Sequence, residues 1–164
     1  MRRIIAMLME NESGALSRVA GLFSARAYNI ESLTVAATED PTLSRLTLVT
    51  IGDDNKIEQI LKQINKLIDV VKVVDLSASA HIEREVVLLK VIAKGNEQRE
   101  EVKRLVDIFD SHIVDVSDTT YTIQMIGDAD QTDAFISAMQ IADIVETARS
   151  GVTGIARGKK GLKV

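Results

Sequence analysis

Apolar residues run from Arg3 to Met9 between polar neighbours, the pattern of a strand covered on both faces. Asn11 to Gly14 is a polar turn. Leu16, Val19, Ala20 and Phe23 then fall on one helical face, at i, i+3, i+4 and i+7. Tyr28 and Asn29 end that helix. Ile30 to Thr38 reads as a strand in which Leu33, Val35 and Ala37 alternate with polar or small residues. Glu39-Asp40-Pro41-Thr42 is a turn, and Ser44 to Ile51 returns as a second strand of the same hairpin. Gly52 and Asp53 break it, with Asp53 or Asp54 placed to cap a helix lined by Ile57, Ile60, Leu61, Ile64 and Ile68. Val70 to Leu76 is a β-branched strand. The order β-α-β-β-α-β over these residues is that of a ferredoxin-like unit, with both helices on one sheet face.

Ser77 to His81 reads as a linker, after which the order recurs. Glu85 to Ile92 is a strand, and Val102, Leu105, Val106 and Phe109 mark a helix. His112 to Val116 and Thr120 to Ile126 are short strands, Ala129 to Met139 a helix and Ile144 to Ala148 a last strand. A shift of 85 positions lays Asn11 on Asn96 and Glu12 on Glu97, and puts Arg99 where Gly14 stands. The expected fold class is α+β, with two ferredoxin-like domains at 1–77 and 78–164. The stretch from Gly151 to Val164, rich in glycine and basic residues, is expected to be a flexible tail of the second domain.

Composition narrows the function. Of the 164 residues, 46% are hydrophobic and 27% charged, a globular balance. A domain of about 75 residues buries only about two-thirds of its unfolded surface, so two of them are expected to lean on each other or on partners. A net charge of −4 argues against nucleic acid as a partner. Aromatic residues are only 3%, with no Trp, which disfavours a base-stacking surface. The absence of Cys excludes a disulfide framework and thiolate chemistry. The apolar N-terminal run is too short to span a membrane and lacks the cleavage site of a signal peptide, so the expectation is no membrane and a cytoplasmic location.

Catalytic constellations are missing. His81 and His112 stand without Cys or a recognised ligand spacing, so no metal site is expected. No G-x-S-x-G or Walker loop occurs, and Gly151-Val152-Thr153-Gly154 lacks the lysine and context of a phosphate loop. One loop does stand out, Glu10-Asn11-Glu12-Ser13-Gly14-Ala15-Leu16. It joins a buried strand to a helix. Gly14 permits positive φ and close backbone approach. The free N–H groups opening the helix favour a carboxylate. Asn11 offers both a donor and an acceptor to the polar ends of an amino acid, and Asn29, after the helix and before the next strand, could point at a neighbour. The same residues also suit plain capping by Ser13 or Asn11.

The stretch ENESGALSRVAGLFSARAYNIESLTV resembles an ACT domain, a small-molecule sensing module. With EDPTLSRLTLVT, HIEREVVLLKV and ARSGVTGIARG, nearly the whole chain resembles the small regulatory subunits of acetolactate synthase (acetohydroxyacid synthase). The resemblance implies a chain with no catalytic residues of its own. Such a chain binds and activates a separate catalytic large subunit and confers feedback inhibition, usually by valine, in branched-chain amino acid synthesis. Thiamine diphosphate, Mg and FAD would belong to that catalytic partner, with no cofactor in this chain. It also implies a homodimer through the ACT domains. Asn11, Ser13, Gly14, Ala15 and Leu16 would surround the effector, and Asn29 and Ile30 would come from the adjoining chain. The loop departs from the Asp-x-Pro-Gly of many ACT domains, since Asn11-Glu12-Ser13-Gly14 offers less charge and a less rigid turn. The alternative implied by the same resemblance is a stand-alone amino-acid-binding regulator of another target.

Overall fold

The computed structural model describes all residues, Met1–Val164. The chain divides into two compact units, one made of Met1–Ile82 with Val152–Val164, the other of Glu83–Gly151.

The first unit runs β1 (Arg2–Glu10), α1 (Ala15–Ala25), β2 (Ser32–Ala37), β3 (Leu43–Ile51), α2 (Asp54–Asn65) and β4 (Val70–Asp75). Its antiparallel sheet has the order β2-β3-β1-β4, which leaves β2 and β4 as edges. Ile5, Met7 and Met9 of β1 and Leu46 and Leu48 of β3 form one core with Ala15, Val19 and Phe23 of α1 and Ile57, Ile60 and Ile64 of α2. Ile4, Ala6 and Leu8, of the opposite parity, are buried as well. Burial on both faces is why β1 shows a continuous apolar run instead of alternation. Asp53 caps α2 by accepting from the Lys56 N–H at 2.8 Å.

Two apolar positions expected in helix faces lie elsewhere. Leu16 is 39% exposed, because Ala15 takes the buried place at the start of α1. Ile68 is 89% exposed, because α2 ends at Asn65 and Leu67–Val70 turns instead of continuing the helix. Residues 77–81, read as a linker, hold part of a 3-10 turn at Leu76–Ala78 and the first residue of the next strand. The segment expected to be a flexible tail of the second domain includes a strand, β9 (Thr153–Ala156), and packs with the first unit. Val152 and Gly154 are buried there, and the Arg157 N–H reaches the Ala80 carbonyl at 3.0 Å.

The second unit follows the same plan: β5 (His81–Ile92, whose first two residues belong to the first unit), α3 (Gly95–Ile108), β6 (His112–Val116), β7 (Thr120–Gly127), α4 (Ala129–Ala138) and β8 (Ile144–Arg149). The strand order is β6-β7-β5-β8, the first sheet's order repeated, and β9 joins as a fifth strand by pairing with β5. Val87, Leu89, Val91, Ile123 and Met125 pack against Val102, Val106, Phe135 and Met139. Asp128 and Gln131 close a reciprocal capping box on α4. Buried Glu85 accepts from Arg149 and from the Thr132 hydroxyl. A single shift of 85 does not describe the repeat. The buried pair Val19 and Phe23 corresponds to Val102 and Val106, 83 positions on in each case. The glycine that opens α3 is Gly95, with φ +74, so the second unit has its own positive-φ turn where the shift suggested Arg99.

Candidate functional site

The β1–α1 loop is shaped by local chemistry. Gly14 is the N-cap of α1 with φ +86 and ψ −8, a conformation that costs other residues about 1 kcal/mol or more. No side chain caps this helix. Neither Ser13 nor Asn11 plays that part, and the N–H groups of the first turn have no acceptor four residues back within the helix. Asn11 is turned the other way. Its Nδ2 donates to the Pro41 carbonyl at 3.0 Å, and its backbone N–H donates to the Thr42 carbonyl at 2.8 Å. The hairpin turn holding the only proline is thus tied to the loop.

A second anchor comes from the far end of the unit. Asp69, buried just before β4, accepts from Arg18 Nε and, at 3.1 Å, from Arg18 Nη2, while its carbonyl accepts from the Glu10 N–H at 2.8 Å. The Arg18 hydrogen bond holds the Asp69 carboxyl below the usual carboxylate range, against desolvation that would raise it. The Arg18 guanidinium lies directly against Gly14, where an added Cβ would stand 2.9 Å from Nη1.

Between the loop and the edge strand is a cleft of ≈ 260 Å³, lined by Met9, Glu10, Asn11, Glu12, Ala15, Leu16, Val35–Ala37 and Ser44. Three of the residues implied by the resemblance, Asn11, Ala15 and Leu16, meet in it. The partial exposure of Leu16 follows from its place on the wall. Ser13 and Gly14 belong to the loop backbone beside it and do not line it. Asn29 and Ile30 lie just before the other end of β2, six and five residues from Val35, roughly 17–20 Å at about 3.3 Å per residue. There Asn29 donates to Glu31, its carbonyl accepts from the Thr50 hydroxyl at 2.6 Å, and Ile30 packs half-buried against the core. Within one chain, therefore, these two are not part of the cleft. The walls that sequence reasoning missed are Val35, Ala36 and Ala37. All three are exposed on the edge strand β2, and no local sequence pattern marks that edge as a wall.

A wider groove of ≈ 480 Å³ beside α3 is lined by Lys94, Glu97, Gln98, Glu101, Val102, Ile141 and Ala142. Its polar groups are partly engaged within the chain, Glu101 by Arg104 and the Gln98 amide oxygen by the Lys94 N–H at 2.9 Å. No three His, Asp or Glu side chains come together as a metal site. His81 Nδ1 lies 2.9 Å from the Ser79 carbonyl, and His112 is exposed on β6. No helix is long and apolar enough to cross a membrane.

Residues 5–72 match the family described as AHAS small subunit-like ACT domain, and residues 84–158 match the small subunit of acetolactate synthase. The chain is 58% identical to the acetolactate synthase isozyme 3 small subunit of Salmonella typhimurium over 164 residues, covering 99% of this chain and 100% of that one. It is 58% identical to the acetolactate synthase small subunit of Haemophilus influenzae over 163 residues, 99% of each chain. Among solved structures, the acetolactate synthase small subunit of Thermotoga maritima superposes with a TM-score of 0.87 at 38% identity, covering 98% of this chain and 99% of that one. The paired sheets, the β1–α1 loop and these relatives agree: the chain belongs to the family of acetolactate synthase small subunits.

Proposed function

We propose that this chain binds the catalytic subunit of acetolactate synthase, raises its activity, and makes it subject to feedback inhibition by valine held in the cleft between the β1–α1 loop and β2. The observation that carries this is the cleft itself. It lies at the N-terminus of α1, which no side chain caps; the Ala15 N–H donates to the Glu12 carbonyl, so the effector carboxylate meets the N–H groups of Leu16 and Ser17 and the positive end of the helix dipole. With Nδ2 committed to Pro41, the Asn11 carbonyl oxygen remains to accept from the effector ammonium. Leu16, Val35 and Ala37 give a branched aliphatic side chain an apolar wall. At ≈ 260 Å³ the space falls just under the ~300–1,000 Å³ of drug-sized pockets, the scale of a single small amino acid.

The first unit, Met1–Ile82 with Val152–Val164, is then the sensing and dimerising part and Glu83–Gly151 the regulatory remainder. The unpaired edge β2 is the side along which a second copy docks, bringing its own Asn29 and Ile30 to the cleft. Thiamine diphosphate, Mg and FAD belong to the catalytic partner. The relatives' designation as small subunits supports the partnership, and the cytoplasm, where such biosynthesis runs, is the expected location.

The test is a thermal-unfolding titration of the purified chain with valine, leucine, isoleucine and glutamate. At 100 times its dissociation constant, the effector should stabilise the folded state by about 2.7 kcal/mol. Saturable stabilisation by valine, weakened in Asn11→Ala, is the expected outcome. No stabilisation by any of the three branched amino acids would remove the effector site from this chain.

A further inference from the structure

The segment Val152–Ala156 grips the first sheet through side chains that its strands supply. The Thr34 hydroxyl on β2 donates to the Val152 carbonyl at 3.1 Å. Arg45 on β3 donates through Nη2 to the Gly154 carbonyl at 2.7 Å. Gly154 is closely covered: a Cβ there would stand 2.8 Å from Leu76 Cδ1, so Leu76 would have to shift to admit one. Arg45 is the informative partner. It is half-buried, desolvation pulls its pKa below the ordinary arginine value, and no carboxylate pairs with it. A guanidinium taken from water to meet a backbone carbonyl is a costly way to hold a terminal strand if that strand only fills space.

The position of the grip matters. Thr34 immediately precedes Val35–Ala37, the wall of the cleft, and pairs in register with Thr47 of β3. In the other direction, only Ser150 and Gly151 separate Val152 from Arg149, the end of β8. Arg149 is itself fixed to buried Glu85 and, at 2.8 Å, to Asp133, and the Ser150 N–H donates to the Val86 carbonyl at 3.0 Å. The strap is therefore tied to β2 one residue before the wall of the cleft, and it continues from β8 with two residues between. A displacement of β2 has a short covalent route to β8.

We infer that Thr34 and Arg45 are positioning residues that couple the occupancy of the β2 cleft to the second unit through the Val152–Ala156 strap. The inference rests on the reading of the cleft as the effector site. A ligand shifts a conformational equilibrium only by its differential affinity for the two states, so the coupling requires an element that both sites bias. The strap is the element placed to serve that purpose, since it bonds to β2 and β3 and continues directly from β8, and coupling through it makes effector binding separable from inhibition.

The experiment uses the full chain reconstituted with its catalytic subunit. Valine binding is measured on the chain alone by calorimetry, activation without valine by turnover, and inhibition by valine titration. The variants are Thr34→Val, which keeps shape and removes the hydroxyl donor, Thr34→Ser, which restores it, and Arg45→Met. Thr34→Val and Arg45→Met should bind valine within about threefold of the unaltered chain and activate equally, yet need about tenfold more valine for half-inhibition, inside the usual range of allosteric coupling. Thr34→Ser should recover the original inhibition curve. Unchanged inhibition curves in both Thr34→Val and Arg45→Met would overturn the inference, as would binding lost in parallel with inhibition, which would make these residues part of the site. If the unaltered chain fails to bind valine, the effector reading falls and the inference with it. That failure is distinguishable because it shows before any substitution is made.

Discussion

Asp69 joins the three sides of the cleft's supporting loop, through Arg18 on α1, through Glu10 at the end of β1 and through its own place before β4. Its carboxyl is held below the usual range by a hydrogen bond that exists only in the folded state. The stabilisation is therefore complete above the unfolded Asp value, near about 4, and fades as pH falls through the lowered folded value. Thermal unfolding of Asp69→Asn should show a lower Tm at pH 7 and a shallower loss of stability from pH 5 to 3 than the unaltered chain. Parallel curves over that range would show that the pair does not act in this way. This contact could not be read from sequence, since 51 positions separate Arg18 from Asp69 and no local pattern pairs them. Gly14 and Asn11 could be, because turn chemistry is local. Only glycine takes φ +86 at ease, and an Asn at the end of a strand must bond within reach. The capping alternative for Ser13 and Asn11 was equally legible and is not what the chain does. Asn11 finds a better-placed acceptor in a hairpin 30 residues away.

At the scale of elements, the pattern of apolar residues identified both helices of each unit, all four strands of the first sheet and four of the five of the second, and β1 declared its double burial by losing alternation. The misreadings came where pattern outran geometry. Ile68 continues the α2 spacing after the chain has already turned. The strand β9 is four residues, Thr-Gly-Ile-Ala, too short and too glycine-rich to stand out from a loop. Its identity comes from where it docks. Gly154 is the sharpest test of that docking, because Leu76 beneath it is 1% exposed and has little room to yield. Gly154→Ala should destabilise the chain by about 1–3 kcal/mol, the usual cost of overpacking a filled site. A Tm equal to that of the unaltered chain would mean that the strap lifts away from the sheet at no cost.

For the whole molecule, the proposed roles of the loop and the strap would make them parts of one control device. A coupling of about 1–3 kcal/mol between effector and partner is the usual scale for such devices. Gly14→Asp should separate the two properties. The added side chain meets Arg18 Nη1, strains the turn and puts a negative charge where the effector carboxylate belongs. In reconstitution assays the variant should keep most of the activation and lose valine inhibition. Inhibition retained at the original valine concentrations would rule out this loop as the site. The order of the units along the chain has a further consequence during synthesis. The last strand of the first unit is made only after the entire second unit has been translated. At about 5–20 residues per second, the roughly 80 residues between β4 and β9 take several seconds to emerge from the ribosome. Until then the patch around Ile4 and Leu76 that β9 later covers stands open on the nascent chain, so any lesion that delays or removes those final residues offers chaperones and proteases an apolar surface that the finished protein conceals.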